Sequence, residues 1–191
     1  MKALEERILK EGKVLPGGVL KVGSFLNQQI DIDFMMQMGE EVARLYNGVK
    51  ITKVLTIETS GIAVAACVAA KLHAPVVFAK KNKSSNVGNE VYSTEIHSYT
   101  HGNDYTAVIS KEYLNAGDLC LITDDFLANG CAVEGLIRLC EQAGAKVVGV
   151  VAAVEKGFQG GGDALREKGI RVESLAIVDE MTDDGKITFR K

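Results

Sequence analysis

From Ile51 onward the chain alternates short apolar runs with segments of helical period, and that alternation constrains the fold more than any other feature. Lys53–Ile57, Val76–Ala79, Tyr105–Ser110, Leu119–Ile122, Lys146–Val154 and Arg171–Val178 are largely apolar and rich in β-branched residues. Runs of this kind form strands buried on both faces, as in a parallel sheet. Between them, Ile62–Leu72 and the series Val133, Leu136, Ile137, Leu139 and Cys140 carry apolar residues at helical spacing. Parallel strands joined through helices cross over right-handed, and such sheets bind ligands beyond the carboxyl ends of their strands. The expectation is one α/β domain over residues 1–191, a central and mostly parallel sheet flanked by helices.

The first fifty residues read differently. Met1–Lys10 is an amphipathic helix with Leu4, Ile8 and Leu9 on one face, ended by Gly12. Pro16-Gly17-Gly18 makes a turn between two short extended pieces. Leu20 to Ile30 has no clear period. Asp31 or Asp33 then caps a helix whose core face is Phe34, Met38, Val42 and Leu45, with Gly48 as its stop. Totals narrow the function. A net charge of −3 argues against a general nucleic-acid surface. No apolar run is long enough for a membrane span, and MKALEERILK lacks a signal-peptide core, so the cytoplasm is the expected compartment. Cys67, Cys120 and Cys140 fall in apolar periodic segments and should be reduced and buried. His97 and His101 have a metal-like spacing, but no thiol pair accompanies them and Gly102 breaks any helix there.

Chemistry concentrates in LCLITDDFLANGCA, Leu119–Ala132. A short buried strand leads into Asp124 and Asp125, then into the small-residue turn Ala128-Asn129-Gly130, then into a helix. The turn presents backbone N–H groups at the positive end of a helix, where a phosphate can sit. The carboxylates just before it can accept hydrogen bonds from a polyol or approach a hydrated Mg²⁺. A sugar phosphate satisfies both halves. Solvated acids at a strand end are the plainer alternative, and a nucleotide-triphosphate loop is excluded because no G-x-x-x-x-G-K-[ST] occurs. Cys131 lies in the same turn, at a helix start.

Three further loops share that sheet edge. Glu58-Thr59-Ser60-Gly61 follows the first core strand, and Ser60 and Gly61 can offer backbone N–H groups to an anion. Lys80–Asp104 is polar, with period-two alternation around Val91–Tyr99, and reads as a solvated hairpin. Glu155-Lys156-Gly157-Phe158 ends a buried strand. There an ammonium beside an aromatic ring suits a flat, oxygen-bearing heterocycle. Gly160-Gly161-Gly162 opens a short helix and, as a bare loop, reads as slack rather than as a phosphate cradle.

With these residues in view, the Asp-Asp motif resembles the 5-phospho-α-D-ribose 1-diphosphate (PRPP) motif of the type I phosphoribosyltransferases. It departs in two ways: Asn129 and Ala132 stand where many members carry hydroxyls, and Ala128 stands where the hypoxanthine-guanine branch carries a third acid. The four loops together resemble the purine-using members from about Leu20 to Val178, and most of all the bacterial xanthine-using branch. Leu20, SFLNQQID with Asn27, ETSGIA, TDDFLANG and EKGFQ carry that similarity. The resemblance implies a type I phosphoribosyltransferase fold with a hairpin lid over 80–104 and an N-terminal base-binding segment over 1–30. It implies Leu20, Asn27 and Lys156, with Phe158, on the base, and Ala128, Asn129, Gly130, Cys131 and Ala132 on the 5′-phosphate. It further implies Ser60, Gly61 and Lys81 on the diphosphate, and Asp124 and Asp125 on the ribose as catalytic acids. No direct metal ligand is implied, and Mg²⁺ would arrive with PRPP. The reaction implied is purine salvage, xanthine and PRPP giving XMP and diphosphate, by a cytoplasmic homodimer with no nucleic-acid or membrane partner. Hypoxanthine or guanine as the base is one alternative. A non-catalytic PRPP-sensing regulator on the same fold is another, disfavoured by the net charge.

Overall fold

The computed structural model describes residues 1–81, 90–98, 103–182 and 184–191. Its centre is an eight-stranded sheet. The strands are β3 (Lys53–Ile57), β4 (Val76–Lys81), β5 (Val91–Ser98), β6 (Asn103–Ser110), β7 (Leu119–Leu127), β8 (Lys146–Lys156), β9 (Val172–Met181) and β10 (Ile187–Phe189). They lie in the order β10-β9-β8-β7-β3-β4-β6-β5. The run from β9 to β4 is parallel throughout, while β10, β6 and β5 join antiparallel at the two flanks. A small two-stranded sheet, β1 (Lys13–Leu15) with β2 (Val19–Lys21), stands apart as the arms of the Pro16-Gly17-Gly18 turn.

Alternation along the strands divides the core into two layers. Leu121, Val151 and Ala153 face one way, onto α1 (Lys2–Glu11), α2 (Ile32–Leu45) and α3 (Gly61–Leu72). Cys120, Ile122, Val150 and Ala152 face the other way, onto α4 (Cys131–Ala143) and Leu165 of α5 (Gly161–Glu167). The helix α2 begins where Asp31 Oδ1 accepts the Phe34 N–H at 3.1 Å. It ends at Leu45, before Gly48, because Tyr46 turns inward, buries its ring and donates its hydroxyl to Val150 O. Gly39 lets α2 approach α3 closely, since a Cβ there would meet Cys67 O at 2.5 Å.

Several elements differ from the sequence expectation. Strand β7 runs on through both acids to Leu127, because Phe126 and Leu127 pair with Val154 and Glu155 of β8. The period-less stretch after β2 is a wide helical turn over Gly23–Asn27 that buries Phe25 and Leu26. Strand β10 went unseen because three residues carry no period. The expected hairpin is present as β5 and β6, and it is docked rather than solvated. Ile96 is buried against Gly135 of α4, where a Cβ would lie 2.2 Å from its Cδ1, and Arg138 donates to Thr94 Oγ1 and Glu95 O. Residues 82–89 and 99–102 of the expected lid, with His101, lie outside the described residues.

Candidate active site

Asp124 and Asp125 sit inside β7 at the carboxyl edge of the sheet, and both are buried. Local propensity disfavours Asp in a strand; pairing with β8 overrides it. The Asp125 carboxylate is held from both sides. Asn27 Nδ2 donates to Oδ2 at 3.1 Å, and Ser60 Oγ donates to Oδ1 at 2.9 Å. Asp124 Oδ1 accepts the Asp125 N–H at 2.9 Å. Burial, and then the neighbouring charge of Asp125, push the Asp124 carboxyl well above the usual carboxylate range. The first glycine of α3 permits this: a Cβ on Gly61 would lie 2.4 Å from Thr56 Oγ1 and 3.1 Å from Asp124 Oδ1.

Beyond the acids, Ala128-Asn129-Gly130 turns the chain into α4. Gly130 takes the left-handed conformation, with φ of +87°. Asn129 Oδ1 accepts the Cys131 N–H at 3.3 Å, so the amide that replaces a hydroxyl here caps the turn itself. The turn is backed by α5. Gly161 N–H donates to Ala128 O at 3.1 Å, and a Cβ on Gly161 would fall 2.3 Å from that oxygen. Gly162 is equally confined, its Cβ position lying 2.1 Å from Glu155 Oε1. The glycine run is therefore a packing surface, which corrects the expectation of a slack loop.

The Glu58–Gly61 turn closes the opposite side. Its Glu58 carboxylate accepts the Lys81 N–H at 2.5 Å, which ties the turn to the end of β4. The Lys81 ammonium stands 5.1 Å from the centre of the Tyr105 ring. Burial, then the charge of Asp124, raise the Tyr105 hydroxyl above its ordinary pKa.

At the far rim, Lys156 Nζ donates to Gly18 O at 2.9 Å and lies 5.8 Å from the centre of the Phe126 ring. Desolvation lowers its pKa from the usual lysine value. Phe158 stands apart from this arrangement. It is partly exposed and packs over Gly18, while the ring beside the ammonium is that of Phe126. The Asn27 amide, named from sequence for the base, donates to Asp125 from the rim of the same cavity.

The acids, the two turns and Lys156 open onto one cavity of about 930 Å³. Leu20, Asn27, Ser60, Lys81, Asp124, Asp125, Lys156 and residues 128–132 line it; Gly61 lies just beneath, against Asp124. Tyr105, Phe126 and Gln159 line it as well, and the sequence alone assigned none of them a site role. Phe126 was legible inside the acidic motif; Tyr105 was hidden because its strand reads simply as core.

The comparisons with known proteins follow this geometry. Residues 35–164 match the family model described as the phosphoribosyl transferase domain. The xanthine phosphoribosyltransferase of Lachnoclostridium phytofermentans is 52% identical over 191 residues, covering 100% of this chain and 98% of that protein. The one from Bifidobacterium adolescentis is 53% identical over 192 residues, covering 100% of both chains. Among solved structures, adenine phosphoribosyltransferase from Giardia lamblia in complex with 9-deazaadenine superposes with a TM-score of 0.76 at 23% identity, covering 91% of this chain and 96% of that one. The adenine enzyme from Thermoanaerobacter pseudethanolicus gives 0.73 at 23% identity, covering 91% and 98%. These structures share the fold, and the sequence relatives share the full length. The acidic strand, the glycine-turned helix start and the matched relatives together make this chain a member of the phosphoribosyltransferase family, with its type I fold.

Proposed function

We propose that the chain transfers the 5-phosphoribosyl group of PRPP to xanthine, forming XMP and diphosphate in purine salvage. The observation that carries this reading is the disposition of groups around the single cavity just described. Backbone N–H groups at the start of α4 suit a phosphate, the acids of β7 suit ribose hydroxyls, and the Lys156 ammonium faces them from the far rim. The full-length relatives named as xanthine phosphoribosyltransferases support the choice of base.

In this reading the protein positions and neutralises; it makes no covalent bond itself. The first turn of α4, capped by Asn129, seats the 5′-phosphate. Asp125 exchanges its Asn27 and Ser60 donors for the ribose hydroxyls, and Asp124 sets the field beneath the ring. Ser60 and Lys81 meet the diphosphate, and Lys156 donates to the oxygen on C6 of the purine. Ala128 leaves no carboxylate base in the turn, so the purine enters already deprotonated. Mg²⁺ bound with PRPP would supply neutralisation of the diphosphate charge. The carboxylates fit that role as neighbours rather than as a cage, since both Asp125 oxygens already accept hydrogen bonds. No helix among the described residues is long and apolar enough to cross a membrane. A cytoplasmic location and a homodimer are part of the proposal.

The test is an assay of xanthine, hypoxanthine, guanine and adenine with PRPP and Mg²⁺. Xanthine should give the highest kcat/KM and adenine the lowest. Preference for guanine or hypoxanthine would reassign the base, and no turnover with any of them would remove the reading.

A further inference from the structure

Behind the Lys156 rim runs a chain of ion pairs that the proposed reaction does not use. Glu155, fully buried, accepts from Arg166 Nη1 at 2.9 Å and Nη2 at 2.7 Å, and from Ser174 Oγ at 2.5 Å. Arg166 Nη1 also donates to Asp163 Oδ1 at 3.0 Å. Asp163 is then gripped by Arg190, whose Nη1 and Nη2 reach Oδ1 at 2.7 Å and Oδ2 at 3.0 Å. The same guanidinium turns its Nε to Asp179 Oδ1 at 2.9 Å. One residue just past β10 thereby joins α5 to β9 through a planar fork that lysine cannot reproduce.

What this clamp touches gives it a role beyond stability. Gly157 lies directly on it: a Cβ there would fall 2.4 Å from Asp179 Oδ1 and 2.9 Å from Arg190 Nη2. The chain leaves β8 at Lys156 and bends into a short turn over Gly157–Gln159 at that point. The backbone carrying Lys156 into the cavity therefore rests on a carboxylate–guanidinium pair. Without Arg190, Asp179 would lose its guanidinium partner behind Gly157 and Asp163 would keep only Arg166, and the turn would lose its support.

We infer that Arg190 is a positioning residue for the base subsite: by clamping Asp163 and Asp179 behind Gly157, it sets where Lys156 meets the purine. The inference rests on the reading above in taking Lys156 as the donor to the base. It distinguishes the two ends of the cavity, because the Arg190 fork lies directly against Gly157, whereas it reaches the phosphate turn only at one remove, through α5, whose Gly161 meets Ala128 by main-chain contact.

The experiment compares Arg190→Gln and Arg190→Lys with the parent enzyme, and with Arg44→Gln, which breaks an exposed ion pair to Glu41 on α2. KM for xanthine, KM for PRPP, kcat and amide hydrogen exchange of residues 154–160 are measured. Displacement of a binding group by about an ångström costs on the order of tenfold to a hundredfold. Arg190→Gln should therefore raise the xanthine KM about tenfold or more and speed exchange across 154–160, while the PRPP KM and kcat hold within about twofold. Arg190→Lys should fall between, and Arg44→Gln should change nothing. An equal rise in both KM values, or an unchanged xanthine KM, overturns the inference. If the parent enzyme uses no oxopurine, the proposed reaction fails instead. Exchange over 154–160 then decides the clamp, and unchanged exchange in both Arg190 variants overturns it.

Discussion

Asp124 bears two opposed demands. The proposed reaction asks for a carboxylate under the ribose, yet burial and Asp125 make its ionisation costly. A carboxyl with a raised folded pKa holds its proton more tightly in the folded chain than in the unfolded one. Folding stability therefore falls as pH rises from about 3.9, the unfolded value, toward the raised one. Asparagine keeps the oxygen that accepts the Asp125 N–H and never ionises. Asp124→Asn should thus melt a few degrees higher at neutral pH, with the gain vanishing below about pH 4, while turnover falls tenfold to a few hundredfold. Thermal melts across pH beside steady-state rates check both halves. Asp125→Asn should lose turnover alike. In the proposed reaction Lys156 and Asn27 divide the base between them. An ammonium only donates, so Lys156→Gln should weaken all oxopurines together. Asn27 donates to Asp125 as well, so Asn27→Ala should lower kcat/KM for both xanthine and hypoxanthine, and xanthine more, since only it has the oxygen on C2. Equal losses would assign Asn27 to Asp125 alone.

At the scale of elements, α5 is the member whose effect exceeds its length. Its opening glycines fit between the phosphate turn and Glu155 with no space for a methyl group. Gly161→Ala must displace Ala128 O or α5 itself, so the PRPP KM should rise about tenfold or more, with the xanthine KM nearly unchanged. Initial-rate kinetics with each substrate varied in turn gives the answer. No pattern in the sequence announced this role, because a glycine run looks the same whether it is slack or tightly packed. The regular elements were legible for the opposite reason. Apolar runs and helical spacing placed β3, β4, β7, β8, β9, α3 and α4, and the cap of α2, open between Asp31 and Asp33 in the sequence, is Asp31. Boundaries that neighbours decide were not, as with β7 continuing through two acids because β8 pairs with it. The candidate site followed the same division. Residues in ordered motifs, from Ser60 to Lys156, were placed on one cavity. Tyr105, which reaches it through tertiary packing, was not, and Phe158 lies outside the residues that line it.

Over the whole molecule the parallel sheet gathers its loops along one edge and leaves both faces to packing. That division also sorts the cysteines. Cys67, Cys120 and Cys140 are buried among the helices and strands of the two layers, while Cys131, at the turn into α4, keeps partial exposure. Burial and Glu134 raise the Cys131 thiol above its ordinary pKa, so its thiolate is scarce at neutral pH and its alkylation should be slow there and faster as pH rises. The native protein should accordingly take up a single equivalent of a maleimide, and PRPP, whose phosphate the proposed reaction seats in the same turn, should suppress that uptake; intact-mass spectrometry counts the adducts. A second native adduct, or one indifferent to PRPP, would contradict this placement. The phosphate turn thus comes with its own chemical tag, through which occupancy of the enzyme can be weighed directly, without a chromophore, a coupled assay or an engineered label.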